Sequence, residues 1–446
     1  MPELIEIAKA IAARAGEGEQ IEAYLAAGRE TEVRSFEQSV ENLSQAESSG
    51  VGVRVVRDSR QGFAWVGSLD AEAAGEALAE ARDNATYATE DEHAGLPVSD
   101  GWPAADLDLW SDELAGYGTS DKVALAIELE RELRADRHIR QVVRAGYTDA
   151  SLEWAVANSR GLSAASRRSS CHLFAYAIAG EGDDTATGFG YSVGRSPSEL
   201  DLSSCAGDTI ERATRMVGAE KPKSAQLTVV LDRRVTATLL SIVAGILSGE
   251  EVSKGRSLFA NRVGEAVAAP SLTLLENPTD PEAMGASPFD SEGLATRRVE
   301  LIEGGKLMGY LYDSRAARVA GSVSTGSAIR DGYRSTPGVG ARAVSLLPGE
   351  LGQQEILSAV GEGLFVQSIA GVHSGVNAVS GDFSVGAEGL MIRGGELAEP
   401  VREMTIASTI QRMLQHVVHI GSDLEWPPGR AAGLTLAIED VSLGGG

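Results

Sequence analysis

The chain has 446 residues, of which 43% are hydrophobic, 5% aromatic and 23% charged. That composition excludes wholesale disorder and suits two or three domains at roughly 100–200 residues each, with cores of Ala, Val, Leu and Ile rather than large rings. The formal net charge of −25, with no basic run of five or more, disfavours nucleic-acid binding, which depends on Lys and Arg against phosphate.

Leu4, Ile7, Ala8, Ile11 and Ala15 share one helical face, so the spacing predicts an amphipathic helix over 3–15. From Ile21 to Val66 the period changes to that of strands, in four stretches. Val51, Val53 and Val55 alternate with Gly52 and Arg54, and Asp58-Ser59-Arg60-Gln61-Gly62 makes a hairpin turn. A second helix follows at about 70–85, with Leu69, Ala73, Ala77 and Ala81 inward. Residues 90–120, rich in Asp, Gly and Pro, read as a linker or a surface excursion. A helix from Asp121 to about Ala135, strands from Ile139 to Tyr191 and a helix at about 204–217 repeat the earlier pattern. Residues 1–220 are therefore expected to form an N-terminal α+β domain of antiparallel sheet layers with helices, in two sub-layers at 1–90 and 120–220.

Pro222 marks the break before a glycine-rich, β-dominated domain over 221–446. Gln226–Leu231 reads as a strand. Arg233–Leu247 is a helix apolar nearly all round, which predicts burial. Strands are expected at Leu272–Leu275, over Thr296–Leu311 with a turn at Glu303–Lys306, and between Phe365 and Ile392. A last helix is expected over Arg402–His419. The overall class is α+β.

Chemistry is harder to find. Cys171 and Cys205 form no Cys-x-x-Cys pair and read as reduced thiols of a cytoplasmic protein. The first residues do not read as a signal peptide, and no run of 18 apolar residues predicts a membrane span. No His-Glu-x-x-His or His-Glu-x-x-x-His run occurs. His416 and His419 are the one close histidine pair, better suited to a helix C-terminus than to a metal. Ser166–Ser170 reads as a solvated basic hairpin. The segment from Gly371 to Gly386 stands out for its Gly, Ser, Asn and Asp. Its residues fit equally a backbone surface for a ligand and a cluster of tight turns.

The run His373-Ser374-Gly375-Val376-Asn377, continuing through Val379-Ser380-Gly381-Asp382-Phe383-Ser384-Val385-Gly386, resembles the C-terminal signature of the TldD/PmbA family. Glu388-Gly389, the hairpin at Ile392–Glu396, Pro400-Val401-Arg402 and Gly421–Leu424 also match, and Gly50–Val55 with Gly62-Phe63 resembles the family's first domain. The TldD branch carries His-Glu-x-x-x-His and a distant Cys around zinc; the PmbA (TldE) branch lacks them. The resemblance puts Ser241 and Ile246 at the histidine positions and Ile242 at the glutamate, with no cysteine in the C-terminal half. It implies a subunit with no metal and no catalytic residue of its own, paired as a heterodimer with a TldD-like zinc subunit. Unfolded or extended peptides would be the substrates, as in peptide-antibiotic maturation or antitoxin degradation. His373, Ser374, Gly375, Asn377, Ser380, Gly381, Asp382 and Phe383 then become candidates for the peptide groove or the partner interface. The family often has an Asn before its Leu-Pro-Gly turn, where this chain reads Ala341-Arg342-Ala343-Val344. The alternative is a peptide-binding or regulatory homodimer that acts without a zinc partner.

Overall fold

The computed structural model describes residues 2–182 and 184–446. Helix α1 (Pro2–Ala12) leads into strands β1 (Glu19–Phe36), β2 (Ser39–Arg57) and β3 (Arg60–Val66) and helix α2 (Ala71–Tyr87). After the short helix α3 (Asp112–Gly116) the order recurs: α4 (Thr119–Ala135), β4 (Ile139–Asn158), β5 (Ser163–Glu181), β6 (Asp184–Gly194), α5 (Leu202–Thr214). Three strands, not four stretches, fill the first meander, because β1 and β2 run unbroken for 18 and 19 residues. Glu37, Gln38, Asp58 and Ser59 have φ of 51°, 58°, 49° and 57°. These are two-residue turns whose twist matches that of the strands they join.

The two expected sub-layers share one sheet. β1 pairs antiparallel with β4 from Glu22↔Asn158 to Ser35↔Ala145, giving the order β3-β2-β1-β4-β5-β6. α1 and α2 cover the Val51, Val53 and Val55 end; α4 and α5 cover Tyr147, Leu173 and Ala175. Glycines let these helices sit close. A Cβ on Gly62 would lie 2.0 Å from the Ala81 carbonyl oxygen of α2, and one on Gly188 would lie 2.2 Å from that of Thr209 in α5.

Of the two readings of residues 90–120, the surface excursion holds: residues 90–111 are a packed strap in which Leu96 and Leu109 are buried. The strap is held where Asn158 Nδ2 donates to the Pro97 carbonyl (3.0 Å) and the Ser169 amide to that of Leu109 (2.8 Å). One expectation about this half is corrected: Ser166–Ser170 is no solvated hairpin but mid-strand β5, opposite Trp154 to Ala150 of β4.

β7 (Ala225–Leu231) opens the second half and feeds α6 (Arg233–Ile246) and α7 (Gly249–Ser253). A small sheet follows, made of β8 (Leu274–Glu276), β9 (Val299–Glu303), β10 (Lys306–Leu307) and, later, β13 (Val344–Leu346). Between them lie α8 (Ser314–Val319) and the pair β11 (Ala328–Ile329) and β12 (Gly338–Val339). The chain ends with α9 (Gln353–Val360), β14 (Gly363–Ala370), α10 (Val372–Gly375), β15 (Asp382–Arg393), β16 (Glu396–Thr409), α11 (Ile410–Gln415), β17 (Val417–Ile420) and β18 (Leu436–Gly444). The large sheet runs β16-β15-β14-β7-β18-β17, and β16 also pairs with β18, so five strands close into a ring.

The helix expected over Arg402–His419 is the end of β16, the short helix α11 and most of β17. Glu403 has a φ of 55°, and the β15–β16 register slips there. The bulge leaves buried Val401 and Met404 three residues apart, a spacing that imitates a helix. Buried ions tie the halves together. Arg54 of β2 donates to Glu22 of β1 (2.5 Å) and to Glu292 (3.0 Å), and Arg330 donates to Glu22 (2.7 Å). Burial alone would raise the Glu22 carboxyl, but Arg54 and then Arg330 hold it below its usual range.

Candidate functional site: the cleft beside α6

α6 begins at Asp232, whose side chain accepts from the Arg234 amide (3.0 Å) and from Arg212 of α5 (2.7 Å). Val235, Leu239, Leu240, Val243 and Ile246 face the core. The helix is not buried all round, however: Ser241 and Gly245 are exposed, and Thr238 and Ile242 are half-buried. This outward stripe exists because small residues recur every three to four positions.

The stripe's N-terminal end opens on a cleft of about 540 Å³ between the two halves. Arg234, Val235 and Thr238 form one wall and Phe189 of β6 another. Arg234 lies over Tyr191 (4.2 Å) and Phe189 (5.6 Å), and it donates to Asp208 and the Phe189 carbonyl. It fixes the cleft's width by joining α6 to the N-terminal sheet. The third wall is the end of β14. β7 pairs with β14 only as far as Leu231↔Val366. Ser368–Ala370 pair with β15 on one side, and their other side has no strand partner among the described residues. Gln367–Ala370 line the cleft. A free strand edge in a cleft of this size is what an extended chain needs to add itself to a sheet.

A zinc ion held by this helix would need imidazole, carboxylate or thiolate donors at its outward positions. Ser241 is the one outward candidate, and its Oγ donates to the Ala237 carbonyl (2.9 Å). Ile242 packs against the core and Ile246 lies within it. These three residues do not fit zinc. No group of three or more His, Cys, Asp or Glu suited to a metal occurs among the described residues. His416 follows α11 with Nδ1 3.6 Å from Asp440, while His419 lies in β17.

The segment from His373 to Phe383 folds as a loop bonded mainly to itself. Asn377 Oδ1 accepts from the amides of Val379 (2.9 Å) and Ser380 (3.1 Å), and Ser380 Oγ donates to Asp382 (2.6 Å). Ser374 Oγ donates to the Gly371 carbonyl (3.2 Å). Gly381, at φ 82°, sits against Gln411 of α11, and a Cβ on Gly375 would meet the Ser384 carbonyl oxygen at 2.0 Å. Phe383 is only 3% exposed and belongs to the core. His373, Ser374, Asn377, Ser380 and Asp382 are exposed on the loop's outside, and none lines the α6 cleft. The structure thus separates the two sets of sequence-selected residues. Arg234 and the β14 edge escaped selection; the only signal was the Asp232-Arg233-Arg234 helix start, an ordinary cap.

The fold and the cleft define a two-part α+β protein with an interdomain groove and a free strand edge. Models of the PmbA/TldA metallopeptidase match as domain 1 over residues 21–85, central domain over 112–217 and C-terminal domain over 224–445. A relative in Escherichia coli O157:H7, metalloprotease PmbA, is 28% identical over 390 residues, covering 86% of this chain and 84% of that one. A PmbA homologue in Haemophilus influenzae is 26% identical over 427 residues, covering 94% and 91%. The solved structure of TldE from Thermococcus kodakarensis superposes with a TM-score of 0.90 at 22% identity, covering all of both chains (100%). The chain belongs to the PmbA/TldD family, and its fold is TldE-like.

Proposed function

We propose that this chain is the metal-free subunit of a two-chain peptidase, paired with a TldD-like zinc subunit and acting on unfolded or extended peptides. The observation that carries this reading is the outward stripe of α6: a hydroxyl already bonded to its own helix, and hydrocarbon where zinc ligands would have to be. Relatives are named metalloproteases, so the metal would come from the partner. The role left to this chain is to shape the enclosure and to offer the free edge of β14 to a substrate backbone. Cys171 and Cys205 are free and buried. No helix among the described residues is long and apolar enough to cross a membrane. Both features suit a cytoplasmic role.

The test is reconstitution. The pure chain is mixed with a relative that carries His-Glu-x-x-x-His, and unfolded casein is the substrate. The proposal expects chelator-sensitive cleavage that is far faster in the mixture than with either chain alone. Equal cleavage by the relative without this chain would overturn it.

A further inference from the structure

A second interdomain space is lined in part by Arg330 of the buried ion network. It consists of two adjoining compartments of about 530 and 430 Å³ between the face of the N-terminal sheet and loops of the second half. Arg168, Arg330, Arg342 and Arg430 line both compartments. In a chain of net charge −25, such a convergence of cations is against the trend.

The four are not equivalent. Arg330 is neutralised by Glu22 (2.7 Å) and lies over Tyr24 (4.4 Å). Arg168 of β5 and Arg430 of the loop after Pro428 have no side-chain hydrogen bond or carboxylate partner among the described residues. Arg342 gives one nitrogen to Ser291 Oγ and the Ala328 carbonyl (2.9 Å each), and its buried Nε has no partner. Burial, then the proximity of Arg168, pushes Arg342 down to about 10. Burial, and then Arg430, also lowers Arg168. Carboxylates do stand nearby. Glu30 lines both compartments and Asp331 one. Behind Arg342, buried Asp290 and Glu276 are both raised to about 7, chiefly by burial. None of these forms an ion pair with the three arginines.

Guanidinium groups close enough to disfavour one another's charge, in a space open to solvent, are stabilised by a shared anion. The space is far larger than a single ion needs. Its wall also carries Trp154 stacked on Tyr24, with ring centres 5.8 Å apart, and main chain at Gly28, a surface for the rest of a chain. We propose that Arg168, Arg342 and Arg430 form a carboxylate anchor for peptides, holding either a free C-terminus or an acidic side chain. This deepens the peptide-handling reading and rests on it. The site would favour peptides ending in, or carrying, a carboxylate.

The test is calorimetric titration of the intact chain with one apolar peptide in three forms: free acid, C-terminal amide, and amide with an internal Glu. A single-stranded oligonucleotide is titrated as a fourth ligand. The free acid or the Glu peptide is expected to bind about ten-fold tighter than the plain amide, the preference of a charge-assisted contact. Which of the two wins identifies the source of the carboxylate. Arg168→Gln is expected to erase the preference. Arg430→Ala, a change at an exposed position, should reduce it with folding intact. Equal binding of acid and amide, tighter binding of the oligonucleotide, no binding of any peptide, or an unchanged preference in both variants would each overturn the proposal. If the preference holds but reconstituted proteolysis fails, the anchor stands and the partner-subunit reading falls.

Discussion

The loop from His373 to Phe383 and the arginine-lined chamber are built on opposite principles. The loop is crowded with polar groups in sequence, and the structure pairs them locally: Asn377 with the Val379 and Ser380 amides, Ser380 with Asp382. The chamber has no crowding in sequence, since Arg168, Arg342 and Arg430 come from distant parts of the chain, yet all three line one space and the buried Nε of Arg342 has no partner there. A dense motif is as compatible with tight turns as with a site. Unanswered charge in a cavity points outward, to something not yet bound.

On that contrast, the loop is chiefly a matter of stability and the chamber chiefly one of binding. The largest effect should come from Phe383→Ala, which empties a core position beneath the loop. About 3–5 kcal/mol of stability should be lost in urea titration, and a loss under about 1 kcal/mol would show that the loop is not anchored there.

Next is a pH effect at the chamber's back wall. Glu276 is raised to about 7, mainly by burial, against about 4.3 when unfolded. A raised carboxyl binds its proton more tightly when folded. Its contribution is therefore complete below about pH 4 and is lost as pH rises towards 7. Glu276→Gln should flatten the fall in stability across that window. An unchanged slope in thermal melts between those pH values would contradict the assignment. Glu22 works the other way: held low by its arginines, it loses stability only at acid pH, as it protonates.

The smallest effect belongs to Asn377→Ala, which removes two side-chain acceptor bonds at an exposed turn. About 1 kcal/mol is expected, with carboxylate preference in the chamber unchanged. A change in that preference would erase the distinction between the two regions.

Much of the architecture was legible in the sequence. The helices at 2–12, 71–87, 119–135, 202–214 and 233–246 lie within about a turn of where periodicity set them. The α+β class followed from the change in period at Ile21. Failures had physical causes. A bulge at Glu403 gave a strand helical spacing, and buried Leu96 and Leu109 were hidden among turn residues. In the candidate site, Ser241, Ile242 and Ile246 of α6 were singled out only by the family resemblance. The α6 cleft was missed, because a free edge at Gln367–Ala370 depends on where the neighbouring β7 ends. Arg168 was passed over as part of a basic patch; only strand pairing turns it toward the second half.

The central claim is that α6 cannot hold a catalytic metal, and metal analysis of the pure chain tests it most directly. The chain is equilibrated with excess zinc, passed through a desalting column, and assayed for bound zinc and for casein cleavage. Less than stoichiometric zinc and no cleavage are expected. One retained zinc per chain with cleavage abolished by a chelator would contradict it.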